Sequence, residues 1–156
     1  MAKFYLVGTP IGNLSDITLR ALETLKSVDA IACEDTRHSL KLLNYYEIKK
    51  PLFACHKFNE KQSVDRIYSL LEEGKDVALI TDAGMPCISD PGAVVVNGLL
   101  EKGADISVIP GATALTSAMA LSGICQQTFT FIGFLPVKNK DKDALLSQFK
   151  SIKTSL

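Results

Sequence analysis

Val77-Ala-Leu-Ile-Thr-Asp-Ala-Gly-Met-Pro-Cys-Ile-Ser-Asp-Pro-Gly92 decides the fold class of this chain. Its first four residues are continuously apolar instead of alternating, which suits a strand covered on both faces, as in a parallel sheet. The Gly- and Pro-bearing loop that follows is longer than the roughly two to six residues that usually join a strand to the next helix. Long ordered loops at that edge often carry function. Asp90-Pro91 reads as an N-cap followed by proline at the first helical position. The helix it opens carries Val94, Val95 and Leu99 and stops at Gly103.

Outward from this segment the same pattern recurs. Leu6-Val-Gly-Thr-Pro-Ile-Gly-Asn13 and Val108-Ile-Pro-Gly-Ala-Thr-Ala114 also pass from apolar strand residues into small-residue loops with a proline. Further strands are predicted at Phe4–Val7, Ala30–Cys33, Leu52–Cys55 and Ile106–Ile109, with a sixth candidate at Phe129–Gly133. Between them lie helical stripes. Leu19, Leu22 and Leu25 follow a cap at Asp16 or Thr18, and Leu40 and Leu43 follow Thr36. Val64, Ile67, Leu70 and Leu71 follow an Asn59–Gln62 capping pair and end at Gly74. The small-residue stretch Thr113–Ile124 makes a last helix. Strict strand–helix alternation predicts an α/β fold: an open, mainly parallel sheet of about five strands with helices on both faces. Ligands bind such sheets at the edge where the three loops fall. Glycine there lets backbone approach a ligand, and proline sets the loop shape in advance.

At 156 residues the chain has the size of one domain, and 47% hydrophobic with 22% charged residues is a globular composition. Seventeen basic residues balance seventeen acidic ones, so net charge makes no case for nucleic-acid binding. No apolar run reaches a membrane span, and the N-terminus lacks a signal-peptide pattern, so a cytoplasmic protein is expected. Cys33, Cys55, Cys87 and Cys125 form no CxxC pair and read as reduced structural thiols. His38 and His56 add no metal-ligand spacing, and no metal is expected.

Gly8-Thr-Pro-Ile-Gly12 is not the GxGxxG of a dinucleotide site, and no Gly-Lys-Ser/Thr phosphate loop occurs. It is either a tight turn or a ligand loop. Asp82 stands at a strand end and either accepts hydrogen bonds from a bound hydroxyl or ammonium group or caps backbone amides. Thr113, with the free amides after Pro110, suits a polar ligand group or a helix cap. Glu34-Asp35-Thr36-Arg37 reads either as a capped helix start with a surface ion pair or as a cluster facing substrate. His38 reads as a surface or cap histidine, while His56 and Lys57 lie near enough to the edge to touch an anionic substrate. The charged run Lys138–Asp143 and the apolar Leu145, Leu146, Phe149 and Ile152 suggest a linker and a short helix.

Together, Leu6–Ile17, Glu34–Arg37, Asp82–Gly92 and Ile109–Ala114 resemble the ribosomal RNA small subunit methyltransferase I family, within the tetrapyrrole methylase (class III S-adenosylmethionine-dependent) superfamily. The resemblance runs from Lys3 to about Pro136. It implies 2′-O-methylation of a cytidine ribose in small-subunit (16S) ribosomal RNA, with S-adenosyl-L-methionine as cofactor, and commonly a homodimer. Residues 1–136 would be the N-terminal cofactor-cleft domain. Residues 137–156 would lead to a second domain absent from this chain, leaving the fragment by itself inactive. The likeness assigns cofactor contacts to Pro10, Ala83, Gly84, Met85, Ile88, Thr113 and Ala114. The chemistry it implies makes Asp35 and Asp82 the catalytic candidates and puts Glu34 and Arg37 at the substrate. One departure stands out: Met85 falls where tetrapyrrole enzymes carry aspartate, and a carboxylate appears at Asp82 instead. The alternatives are another methyltransferase of the superfamily and a non-catalytic binding module.

Overall fold

β1 (Lys3–Val7), β2 (Ala30–Cys33), β3 (Leu52–Ala54), β4 (Val77–Ile80) and β5 (Asp105–Ile109) join in one sheet of order β3-β2-β4-β1-β5. Every neighbouring pair is parallel. The computed structural model describes residues 2–124 and 128–149, so Cys125 and Ile152 lie outside the described residues. The five strands start within one residue of where the apolar runs place them. The sixth candidate, Phe129–Gly133, forms no strand: one residue is bridged, and Gly133 sits at φ +76°.

The continuous apolar runs are explained by burial on both faces. All four residues of β2 and of β4 are buried. Val77 and Leu79 join Phe4, Leu6, Ala30 and Ala32 on one face, against α3 (Glu60–Glu72) and α4 (Ala93–Glu101). Ala78 and Ile80 join Val7, Ile31 and Cys33 on the other, against α1 (Leu19–Ser27) and α2 (Thr36–Tyr45). Each fully buried Leu or Ile contributes about 1.5–3 kcal/mol relative to exposure. The inward faces of the first two helices are narrower than expected. Leu19 stays 79% exposed and Leu40 44%, while Ala21 and Leu25, then Ser39 and Leu43, point inward.

Caps explain most helix boundaries. The Thr18 side chain accepts from Ala21 N (3.0 Å), which settles the start of α1, and the Asp35 side chain accepts from Arg37 N (2.8 Å) at α2. Gly74 and Gly103, both at positive φ, follow the ends of α3 and α4. Two expected caps are not made. Asn59 Oδ1 accepts from His56 N (2.7 Å) and its amide donates to Ala54 O (2.9 Å), so Asn59 ties down the turn after β3 instead. Asp90 does not cap α4. The N-cap is Gly92, whose N–H donates to Glu60 Oε1 at 2.6 Å. The capping carboxylate thus arrives from α3, which local sequence cannot show.

The chain separates into two compact units, Met1–Thr113 and Ala114–Leu156. The second contains α5 (Ala114–Ser122) and α6 (Asn139–Phe149), neither with a buried residue. The charged run expected as a linker is the opening of α6. Among the described residues no helix is long and apolar enough to cross a membrane.

The position of β4 creates the site. α1 and α2, which follow β1 and β2, pack on one face; α3 and α4, which follow β3 and β4, pack on the other. β4 lies between β2 and β1, so its exit diverges from both neighbours' exits. Such a switch in direction opens a crevice at the carboxyl ends of the strands.

Candidate functional site

At that crevice the three small-residue loops are bonded into one assembly. Gly8 N donates to Ile109 O (3.0 Å). Thr9 and Gly84 form an antiparallel bridge, with Thr9 N to Gly84 O at 2.9 Å and Gly84 N to Thr9 O at 3.2 Å. Gly8 and Gly111 touch backbone to backbone. A Cβ on Gly8 would stand 2.7 Å from Gly111 N and 2.7 Å from Met85 Sδ. Gly84 holds φ +79°, with Ala112 O 3.7 Å from where its Cβ would be. Thr9, only 1% exposed, directs its hydroxyl at Thr81 O (3.3 Å) and Gly84 O (3.4 Å). Thr9→Val keeps the side-chain shape and removes this donor. It is expected to cost about 1 kcal/mol, read as a lower urea midpoint at unchanged slope.

Beside this junction lies a cavity of about 420 Å³. Pro10, Ile11, Leu14 and Leu42 give it apolar walls, and His38 and Lys41 come from the first turns of α2. Tyr46 donates its hydroxyl to Leu14 O, tying the end of α2 to the first loop. Ser39, Thr81 and Asp82 also line the cavity, and Ser39 Oγ, Thr81 Oγ1 and Asp82 Oδ1 are buried without a hydrogen-bond partner. The Cys33 thiol donates to Phe53 O (3.7 Å); burial pushes it up, and a hydrogen bond with the Ser39 side chain opposes that shift, so Ser39 is not wholly without a neighbour. A buried polar group left unpaired costs about 1–3 kcal/mol. Thr81 and Asp82, adjacent in sequence, both carry such a group at the end of β4.

The rim is acidic. Burial pushes the Glu34 carboxyl up from its ordinary range, and the negative charges of Asp82, Asp90 and Asp35 add to this while the Asp82 main-chain amide opposes it. Asp90 is raised by burial and then by Asp82. Asp35 behaves in the opposite way. Its carboxylate accepts from Arg37 N (2.8 Å), Nε (3.3 Å) and Nη2 (3.0 Å), which holds it down at about 2. A raised carboxyl favours the folded state below its unfolded pKa and loses that advantage as pH rises through the folded value. Asp90→Asn is therefore expected to raise Tm at pH 7, by about 1–3 °C given its exposure. The gain should vanish below about pH 4, where both forms are neutral.

Of the expected contacts, Pro10, Asp82 and Ala83 line the cavity. Gly84 and Met85 sit at the loop junction, where Ala112 and Thr113 continue the third loop. Ile88 is 59% exposed further along the second loop, and Ala114 opens α5 in the other unit. Glu34 lies beside Asp82. The Arg37 side chain is 89% exposed and folded back onto Asp35, the capped start and ion pair that Glu34–Arg37 allowed. His38, read as a surface residue, is exposed yet borders the cavity. His56 Nδ1 accepts from Phe58 N (3.3 Å) in the turn after β3 and is not on the cavity wall. Sequence reasoning missed Thr9, Ser39, Lys41 and Thr81. For Ser39 a signal existed, since it stands four residues before Leu43 on the inward stripe of α2.

The family described as Tetrapyrrole (Corrin/Porphyrin) Methylases matches residues 3–156. Ribosomal RNA small subunit methyltransferase I of Mycoplasmopsis pulmonis (strain UAB CTIP) is 60% identical over 135 residues, 86% of this chain and 60% of that protein. The protein of the same name from Thermotoga maritima is 51% identical over 150 residues, 96% of this chain and 67% of that protein. The chain thus spans about two thirds or less of these relatives. Uroporphyrin-III-C-methyltransferase from Thermus thermophilus shares the fold, with TM-score 0.60 at 24% identity over 90% of this chain and 55% of that one. Matched across nearly its whole length, the chain belongs to the tetrapyrrole methylases, in the ribosomal RNA small subunit methyltransferase I family.

Proposed function

We propose that this chain is the first domain of an enzyme that methylates the 2′-hydroxyl of a cytidine in small-subunit ribosomal RNA, using S-adenosyl-L-methionine. The carrying observation is the bonded three-loop assembly at the β4 switch point, with Asp82 Oδ1 unpartnered at the adjoining cavity. The residues present fit the donor. Gly8 and Gly111 let the first and third loops meet backbone to backbone, which fixes the shape of the crevice, and Glu34, Asp82 and Asp90 bring negative charge near it, suited to a cation. Pro10, Ala83, Gly84, Met85, Ile88 and Thr113 would hold it. When bound, it supplies a methyl group on a positively charged sulfur.

What the chain itself contributes is orientation and proton acceptance. Rigid loops that fix the two reactants can supply up to about 7–11 kcal/mol. Asp82 accepts the proton of the attacking hydroxyl, worth about two to four powers of ten. Its Oδ1 is uncommitted, whereas Asp35 is already bonded to Arg37 and, held at about 2, is a weak base. Asp35 therefore positions α2, and Glu34 orients the hydroxyl. Arg37 stands at the surface for a phosphate of the RNA. The remainder of the full-length protein, as a homodimer, completes the cleft and the contact with the ribosomal subunit. The test is transfer of labelled methyl from the donor to undermethylated small subunits by the full-length protein. Label in the 2′-O of one cytidine is the expected result. Label elsewhere, or none in RNA, would show the reading to be wrong.

A further inference from the structure

We infer that the turn at residues 56–59, with the edge strand β3 that leads into it, is a contact surface for single-stranded RNA flanking the methylated nucleotide; this rests on the RNA-methyltransferase reading above. The chain is neutral overall, yet its charge is segregated. Residues 37–66 hold seven lysines and arginines against three acids, whereas residues 67–105 hold two against seven. β3 lies within the basic stretch and forms one edge of the sheet. Lys49 and Lys50 precede it, Lys57 follows it, and Arg66 of α3 lays its guanidinium over the Phe53 ring at 4.1 Å. Among the described residues none of these four cations is in an ion pair. Two acids of the stretch are engaged elsewhere, Glu60 with Gly92 N (2.6 Å) and Asp65 with Lys102 (3.5 Å), which leaves Glu47.

The turn itself is built to present a ring. Cys55 N donates to Cys33 O (2.8 Å), so the exit of β3 stays beside that of β2, on the edge of the sheet that holds the crevice. His56 N and Phe58 N donate to Asn59 Oδ1 (2.7 Å) and His56 Nδ1 (3.3 Å), and Asn59 donates to His56 O (2.9 Å) and Ala54 O (2.9 Å). These bonds leave Phe58 92% exposed, edge-to-face with His56 at 6.1 Å between ring centroids. An exposed aromatic by itself means little. One held on a bonded turn among unpaired cations suits single-stranded RNA, whose bases stack on the ring while phosphates meet the cations. A protein interface would favour apolar neighbours, and Phe58 stands between Lys57 and Asn59.

The probe is a fluorescein-labelled single-stranded uridine decamer titrated into the full-length protein, since stacking and phosphate contact need no particular sequence. Phe58→Ala is expected to weaken binding about tenfold, and Phe58→Tyr, which keeps a stacking face, to stay near wild type. Lys57→Gln should lower affinity and flatten the slope of log affinity against log salt by about 0.7. Leu100→Ala, which trims another exposed apolar side chain on α4, should change neither. With undermethylated small subunits as substrate, Phe58→Ala should raise KM about tenfold at unchanged kcat. Its Tm and its affinity for S-adenosylmethionine should not move, because the ring is already in water. Unchanged decamer affinity in Phe58→Ala and Lys57→Gln, an equal loss in Leu100→Ala, or an unchanged KM would each overturn the inference. So would a lower Tm or weaker self-association in Phe58→Ala, which would assign the ring to a protein contact. A decamer that binds through Phe58 in a protein that methylates no RNA would instead sink the methyltransferase reading.

Discussion

Gly8→Ala should be the most damaging single-methyl change in the first unit. The added Cβ would lie 2.7 Å from Gly111 N and 2.8 Å from Gly111 Cα, inside contact distance of backbone that cannot rotate away. Overpacking a well-filled site costs about 1–3 kcal/mol when side chains can yield. Here the obstacle is the β5 exit itself, so about 3 kcal/mol or more is expected, a fall in Tm of about 10 °C or more. Gly111→Ala attacks the same contact from the other side, meeting Gly8 Cα at 2.9 Å. Gly98→Ala provides the contrast. It also meets atoms at 2.9 Å, but they are the methyls of Val64, which can shift. A loss in Gly98→Ala equal to that in Gly8→Ala would show that the β1–β5 junction has no special role.

Asp82→Asn is expected to slow methyl transfer by about two to four powers of ten with donor binding intact. The amide occupies the same volume and still fills the cavity wall, but it cannot take a proton. Asp35→Asn should behave differently. Asparagine caps a helix as well as aspartate does, and the side chain it replaces is committed to Arg37, so the rate should stay near wild type. Single-turnover kinetics on the full-length enzyme would separate the two. A large loss in Asp35→Asn alone would move the proton acceptor to Asp35 despite its depressed pKa. No loss in either would mean that orientation alone carries the rate.

The sheet was legible because its middle strands carry their burial in consecutive residues. Val77–Ile80 and Ala30–Cys33 are apolar at every position and buried at every position. The three loops were legible through their glycines and prolines, which mark where backbone must approach backbone. What escaped was anything decided by a partner distant in sequence. Asp90-Pro91 has the composition of a helix start, yet Glu60 supplies the cap to Gly92. Asn59 has the composition of a cap, yet it serves Ala54 and His56. Phe129–Gly133 has the residues of a strand but forms no strand. In the site, the carboxylates announced themselves by charge. Ser39 and Thr81 did not, because a hydroxyl looks the same in sequence whether it is satisfied or orphaned. Only the fold shows that Ser39 has the Cys33 thiol beside it and that nothing answers Thr81.

A donor site formed jointly by the exits of β1, β4 and β5 is the proposal on which the methylation reading depends. Its most direct test is an amide-shift titration of the full-length protein with S-adenosylmethionine. Saturable shifts should appear at Gly8, Gly84, Met85 and Gly111, and none at the outer faces of α3 and α4. Saturation with shifts confined to other surfaces, or no saturation at all, would contradict it.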